Sequence, residues 1–89
     1  MLPKTTERFR KCFKKLPPDI QSKARKSFNV WQNNPNHKSI KFKKIHSKKE
    51  IFSIRITIGY RALGIISDEE MIWFWIGSHS DYDRLIKNL

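Results

Sequence analysis

Apolar residues recur along this chain with two different periods, and the change of period divides it. In the first stretch Phe9, Cys12, Phe13 and Leu16 fall at i, i+3, i+4 and i+7, the spacing of one helix face. Thr5 or Thr6 stands where a helix cap is needed. Pro17-Pro18 stops that helix and can open another, because proline is tolerated in a first turn. Ile20, Ala24, Phe28 and Trp31 repeat the helical spacing, with Asp19 near the positive end and Asn33-Asn34-Pro35-Asn36 closing the helix. The two helices read as an αα-hairpin, each presenting one apolar stripe.

From Ile40 the period falls to two. Residues 40–45, 51–58, 60–66 and 71–76 are rich in Ile, Phe, Trp, Tyr and Thr, and Lys, Ser, Gly and acidic residues separate them. That is the pattern of an antiparallel meander. In the second segment Phe52, Ile54, Ile56 and Ile58 point one way, and Ser53, Arg55 and Thr57 the other. One face therefore packs, and the other carries a cation in mid-strand. Gly59-Tyr60 turns the chain back and Arg61 follows at once, while Trp73 and Trp75 are expected on one face of the last strand. Past it, Ser80 and Asp83 have capping-box spacing, and Tyr82, Leu85, Ile86 and Leu89 form the stripe of a short helix. The expected fold is α+β, a single domain over 1–89: an N-terminal helical hairpin on a four-stranded antiparallel sheet, then a short C-terminal helix. The first five residues can add a short edge strand, although nothing in their pattern demands one.

Charge sharpens this picture. The 19 Lys and Arg outnumber the 8 acidic residues, for a net charge of +11. The excess is confined to residues 1–50, which hold 15 Lys/Arg against 3 acids, whereas residues 51–89 hold 4 against 5. A polycationic half favours an anionic partner: nucleic acid, an acidic protein or an anionic membrane face. The single cysteine, Cys12, excludes an internal disulfide framework and fits a reducing cytoplasm; lying among Phe9, Phe13 and Leu16, it reads as a small core residue. No secretory leader is recognisable, and apolar runs such as 71–76 are far too short to span a bilayer, so no membrane partner is expected.

Few side chains are placed to do chemistry. Arg55 and Arg61 carry permanent charges on rigid donor forks that suit phosphate, unless they are a surface pair whose stems cover apolar neighbours. His79 follows the last strand in a connection held by rigid elements, and imidazole can pass a proton near neutrality. His37 and His46 lie in loop or strand-end positions. Tyr60 and Tyr82 can stack on bases or bond to phosphate, whereas the tryptophans read as core. Lys38, Lys41, Lys43, Lys44, Lys48 and Lys49 form a patch that can track a nucleic-acid backbone without reading sequence. The histidines and cysteine do not fall at zinc-binding spacings, and neither metal nor cofactor is expected.

The stretch Leu16-Pro17-Pro18-Asp19-Ile20-Gln21, the Asn34-Pro35 helix end, Phe52-Ser53-Ile54-Arg55, Gly59-Tyr60-Arg61-Ala62-Leu63, Trp75-Ile76-Gly77-Ser78-His79 and Tyr82-Asp83-Arg84-Leu85 together resemble the RelE/ParE superfamily of toxins from type II toxin–antitoxin modules. The resemblance covers almost the whole chain and implies a helical hairpin against a curved antiparallel sheet. RelE-like members cut mRNA in the ribosomal decoding site without a metal, through attack by the ribose 2′-OH. ParE-like members share the fold and poison DNA gyrase. The resemblance therefore implies an inhibitor of translation acting on ribosome and mRNA, or alternatively a gyrase poison or an inactive RNA-binding relative. It also implies a cognate antitoxin, with operator DNA reached only through that partner. By position, Arg55 and Arg61 resemble the sheet arginines of the ribonuclease branch, His79 a histidine or arginine after the last strand, and Tyr82 or Asp83 a C-terminal aromatic. This chain departs from the pattern in having no arginine directly after the last strand and two acids, Asp81 and Asp83, close by. His46 is the only nearby counterpart of the additional histidines of some members, and the N-terminus is short for a full first strand.

Overall fold

The computed structural model describes residues 4–89. Its helices form where the apolar stripes place them. Thr6 caps α1 (Glu7–Lys14) by accepting a hydrogen bond from the Phe9 amide, with Glu7 in the first turn and Lys11 and Lys14 in the last, charges that suit the helix dipole. The proline pair opens α2 (Pro18–Asn33). Gln21 ties the hairpin together, its side-chain amide donating to the carbonyls of Phe13 and Leu16 at the end of α1. Phe9, Ile20, Ala24 and Phe28 are buried along the inner stripes.

The sheet has five strands in the order β1-β5-β4-β3-β2: β1 (Lys4–Thr5), β2 (Lys43–Lys44), β3 (Ile51–Thr57), β4 (Tyr60–Ser67) and β5 (Glu70–Ser78). The expected four antiparallel strands thus gain a fifth, and β1 runs parallel to β5, with Lys4 opposite Ile72 and Thr5 opposite Trp73. Residues 1–3 of the possible edge strand lie outside the described residues. The expected strand over 40–45 is also corrected. Lys38–Ile40 is one turn of 3₁₀ helix, Lys41 has a left-handed backbone at φ 44°, and only Lys43–Lys44 pair with β3. A left-handed residue cannot continue an extended strand, so the alternation of Ile40 and Phe42 does not make one.

Both faces of the sheet are covered, unequally. The hairpin packs on the first face, where Ile54, Ile56, Ala62, Trp73 and Ile76 join Phe9, Ile20 and Phe28. On the second face Ile51, Leu63, Trp75 and Tyr82 make a smaller cluster under α3 (His79–Ile86). The expectation that Trp73 and Trp75 share a face fails because β5 bulges. Leu63 pairs with Trp75 and Gly64 with Trp73, so Phe74 is an extra residue that reverses the alternation. Ile58 likewise leaves the packing face: the register shifts between Arg55 and Thr57, and Ile58 is 78% exposed beside the Gly59 turn. The last helix is capped by Ser78, which accepts from the Asp81 amide, and not by Ser80. Its stripe is Tyr82, Leu85 and Ile86, with Leu89 beyond its end.

Candidate active site

The turn between β3 and β4 builds the site. Gly59 donates its N–H to the Thr57 hydroxyl at 3.1 Å, and Arg61 Nη1 donates to the carbonyls of Thr57 at 2.6 Å and Tyr60 at 3.0 Å. The guanidinium therefore braces the turn that precedes it. Among the described residues its Nε and Nη2 have no protein partner, so part of the donor fork remains for a ligand. Arg55 stands directly across the ladder from Arg61. Opposed residues share a sheet face, so the two cations lie together on the second face, with Lys43 one strand further out opposite Ser53.

Like charges facing each other in a sheet are unfavourable, and the electrostatics register it. Burial first, and Arg55 second, hold the Arg61 guanidinium below the ordinary arginine pKa, while Tyr82 and Asp83 act in the opposite direction. Any anion seated between the arginines relieves the repulsion. The arrangement is therefore electrostatically suited to phosphate.

The start of α3 closes the site from the other side. The His79 amide donates to the Gly59 carbonyl at 2.8 Å, which pins the first residue of this helix against the arginine-braced turn. The His79 ring meets Tyr82 edge-on, centroids 5.9 Å apart, and its Nε2 lies 3.4 Å from Asp83 Oδ2. Tyr82 is buried and its ring also lies 6.5 Å from that of Trp75, so it supports the site from beneath. Gly77 lets this support form: a Cβ there would come within 2.6 Å of the Trp75 ring.

Arg55, Arg61, His79 and Tyr82 are thus brought to one end of the second face. Tyr60, expected at a nucleic-acid surface, is half-buried and packs against the helical cluster on the first face. Lys38, Lys41, Lys43, Lys44, Lys48 and Lys49 are all exposed, with Lys44 bridging to Glu50 at 3.1 Å. The other two histidines hold local backbone: His37 Nδ1 accepts from the Ser39 amide, and His46 Nδ1 accepts from the amides of Lys48 and Lys49. Of the two acids near the site, Asp81 pairs with Arg84, and Asp83 alone turns to His79. The i, i+4 relation of His79 and Asp83 was available in the sequence, but it becomes a contact only because α3 begins at His79. Among the described residues no group of three or more His, Cys, Asp or Glu is placed to hold a metal ion. No helix there is long and apolar enough to cross a membrane.

The same fold occurs in solved toxins. A chain of the RelB–RelE antitoxin–toxin complex from Methanococcus jannaschii superposes with a TM-score of 0.72 at 20% identity, over 91% of this chain and 96% of that one. YafQ from E. coli strain BL21(DE3) gives 0.72 at 14% identity over 91% and 96%, and the isolated E. coli RelE toxin 0.65 at 18% identity over 98% and 96%. No curated protein matches the sequence. A family model described as the ParE-like toxin domain matches residues 18–84, and the chain accordingly belongs to that family, within the RelE/ParE superfamily of toxins.

Proposed function

We propose that this toxin is a metal-independent endoribonuclease that cuts mRNA on the ribosome. The observation that carries the reading is the opposed pair Arg55 and Arg61 beside His79, a phosphate-sized concentration of positive charge next to a proton carrier. Attack by a ribose 2′-oxygen on phosphorus breaks the P–O5′ bond and leaves a 2′,3′-cyclic phosphate and a 5′-hydroxyl. Arg55 and the free edge of Arg61 stabilise the crowded phosphoryl oxygens, and His79 protonates the departing O5′. Positioning by the ribosome supplies much of the remaining rate, since alignment alone can lower a barrier by about 7–11 kcal/mol. The exposed lysines hold the backbone on either side. Expression in cells should halt translation, and primer extension should reveal new ends in ribosome-engaged messages. Growth arrest with unchanged message ends would exclude the reading.

A gyrase-directed reading is favoured by one detail: Arg61 Nη1 is already engaged with turn carbonyls, as expected of a structural arginine. Trapped gyrase–DNA cleavage complexes in a supercoiling assay would support it. An inactive relative would bind RNA without arresting growth. In any of these cases the partner is a cognate antitoxin, as in the RelB–RelE and DinJ–YafQ complexes that share the fold. The surface that suits it is an apolar groove of about 700 Å³ along the hairpin, floored by Phe9, Phe13 and Phe28 and rimmed by Arg10, Lys14 and Arg25. Acidic groups would steer the partner and apolar anchors would supply most of the affinity. Co-expression with the product of the adjacent reading frame, followed by pulldown, tests this.

A further inference from the structure

We infer that Asp83 is a positioning residue for His79, holding the imidazole with Nε2–H toward the carboxylate and leaving Nδ1 as the nitrogen that exchanges a proton with the ligand. The inference rests on the ribonuclease reading for its consequence, but not for its geometry. Three contacts locate the ring. The His79 backbone is tied to Gly59, Tyr82 stands edge-on against the imidazole, and Asp83 Oδ2 lies 3.4 Å from Nε2. Among the described residues Nδ1 has no partner. The neighbouring acid cannot take this role, because Asp81 is paired with Arg84 on the outer side of the helix.

A carboxylate accepts only, so the imidazole nitrogen facing it carries the proton, and in the neutral ring the other nitrogen then bears the lone pair. At 3.4 Å the contact is longer than a good hydrogen bond, and it is an ion pair only when the imidazole is protonated. Catalytic contacts are commonly long in the free protein and tighten with substrate bound. In the reaction O2′ bonds to phosphorus and the P–O5′ bond breaks. O5′ takes the proton from Nδ1 of the imidazolium, the 2′-hydroxyl proton passes to water, and Asp83 exchanges no proton in the step. Asp83 has a second, opposing influence: its negative charge lies near Arg61 and disfavours an incoming phosphate. The two influences predict opposite outcomes for its removal.

The test uses Asp83→Ala, with Asp83→Asn as a variant that keeps an acceptor and nearly the same shape. Long-range ¹H–¹⁵N spectra of the free protein should show neutral His79 as the Nε2–H tautomer in the wild type and a mixture of tautomers in Asp83→Ala. Single-turnover cleavage on programmed ribosomes should fall about 10-fold in Asp83→Ala, with little change in the half-saturating toxin concentration and partial recovery in Asp83→Asn. In a His79→Ala background, Asp83→Ala should cause no further loss, since the residue acts through the ring. Identical tautomer spectra in the wild type and Asp83→Ala, or faster cleavage by Asp83→Ala, would overturn the inference. If the wild-type protein does not cut ribosome-bound RNA, the ribonuclease reading fails on its own, and the spectra still decide whether Asp83 holds the ring.

Discussion

The two faces of the sheet are made of similar residues and do different work. On the helical face the buried aromatic side chains interlock: Phe28 meets Phe9 and Trp73 edge-on at 5.7 and 5.0 Å, and Trp73 meets Trp31 at 5.3 Å. On the opposite face the apolar cluster reaches only from Ile51 to Tyr82, and two opposed arginines occupy the remaining end. The first face holds the larger buried cluster. The second holds the smaller one, and its arginine pair carries a repulsion that a bound anion would relieve.

Substitutions on each face should separate these roles. Trp73→Ala removes a fully buried indole from the helical face and should cost about 3–5 kcal/mol in denaturant unfolding, enough to unfold a marginal domain. Arg61→Ala should lower RNA cleavage about 100-fold, the magnitude typical for removing one donor at a developing charge. It should also cost about 1 kcal/mol of stability, because the bonds to the Thr57 and Tyr60 carbonyls are lost. Full toxicity of this variant at equal protein level would place the site elsewhere. Gly64→Ala should destabilise by about 1–3 kcal/mol without touching the arginines, since its Cβ would meet Met71 Sδ and Trp73 Cε3 at 2.7 Å. Arg55→Gln should have the smallest effect on stability and the opposite sign: a gain of a few tenths of a kcal/mol in low salt, fading as salt rises, with weaker RNA binding. A loss of stability there would mean that the opposed arginines do not repel as described.

The sequence is most informative where a period runs long enough to be counted. The stripes of α1 and α2, a threonine cap at Thr5 or Thr6 and the β3–β4 turn are readable in it. The turn alone would set Arg55 opposite Ala62, and the register shift between Arg55 and Thr57 is what brings it opposite Arg61. Three further features are not readable, each for a local reason. Lys4–Thr5 is two polar residues long and has no period; it becomes a strand because β5 offers it an unpaired edge. Trp73 and Trp75 part company through a bulge that no residue type announces. The partnership of His79 with Asp83 depends on which serine caps α3. With Ser80 as the cap, His79 would lie outside the helix, and the acid would read only as an intruder near phosphate.

The bulge at Phe74 has a consequence for how this strand can change length. A strand is a two-beat sequence, and β5 carries one extra beat in its middle, so its two halves are written in opposite phase. Met71 and Trp73 address the hairpin, and Trp75 and Gly77 address the arginine side. Removing Phe74 would delete the extra beat and leave every other residue facing as it does now. Removing Trp73 or Trp75 would also restore the phase, with Phe74 filling the place of a buried indole, whereas removing a residue further along would leave part of the strand out of step. Position 74 is therefore where a relative of this protein can lose a residue from the strand with the least disturbance to both layers.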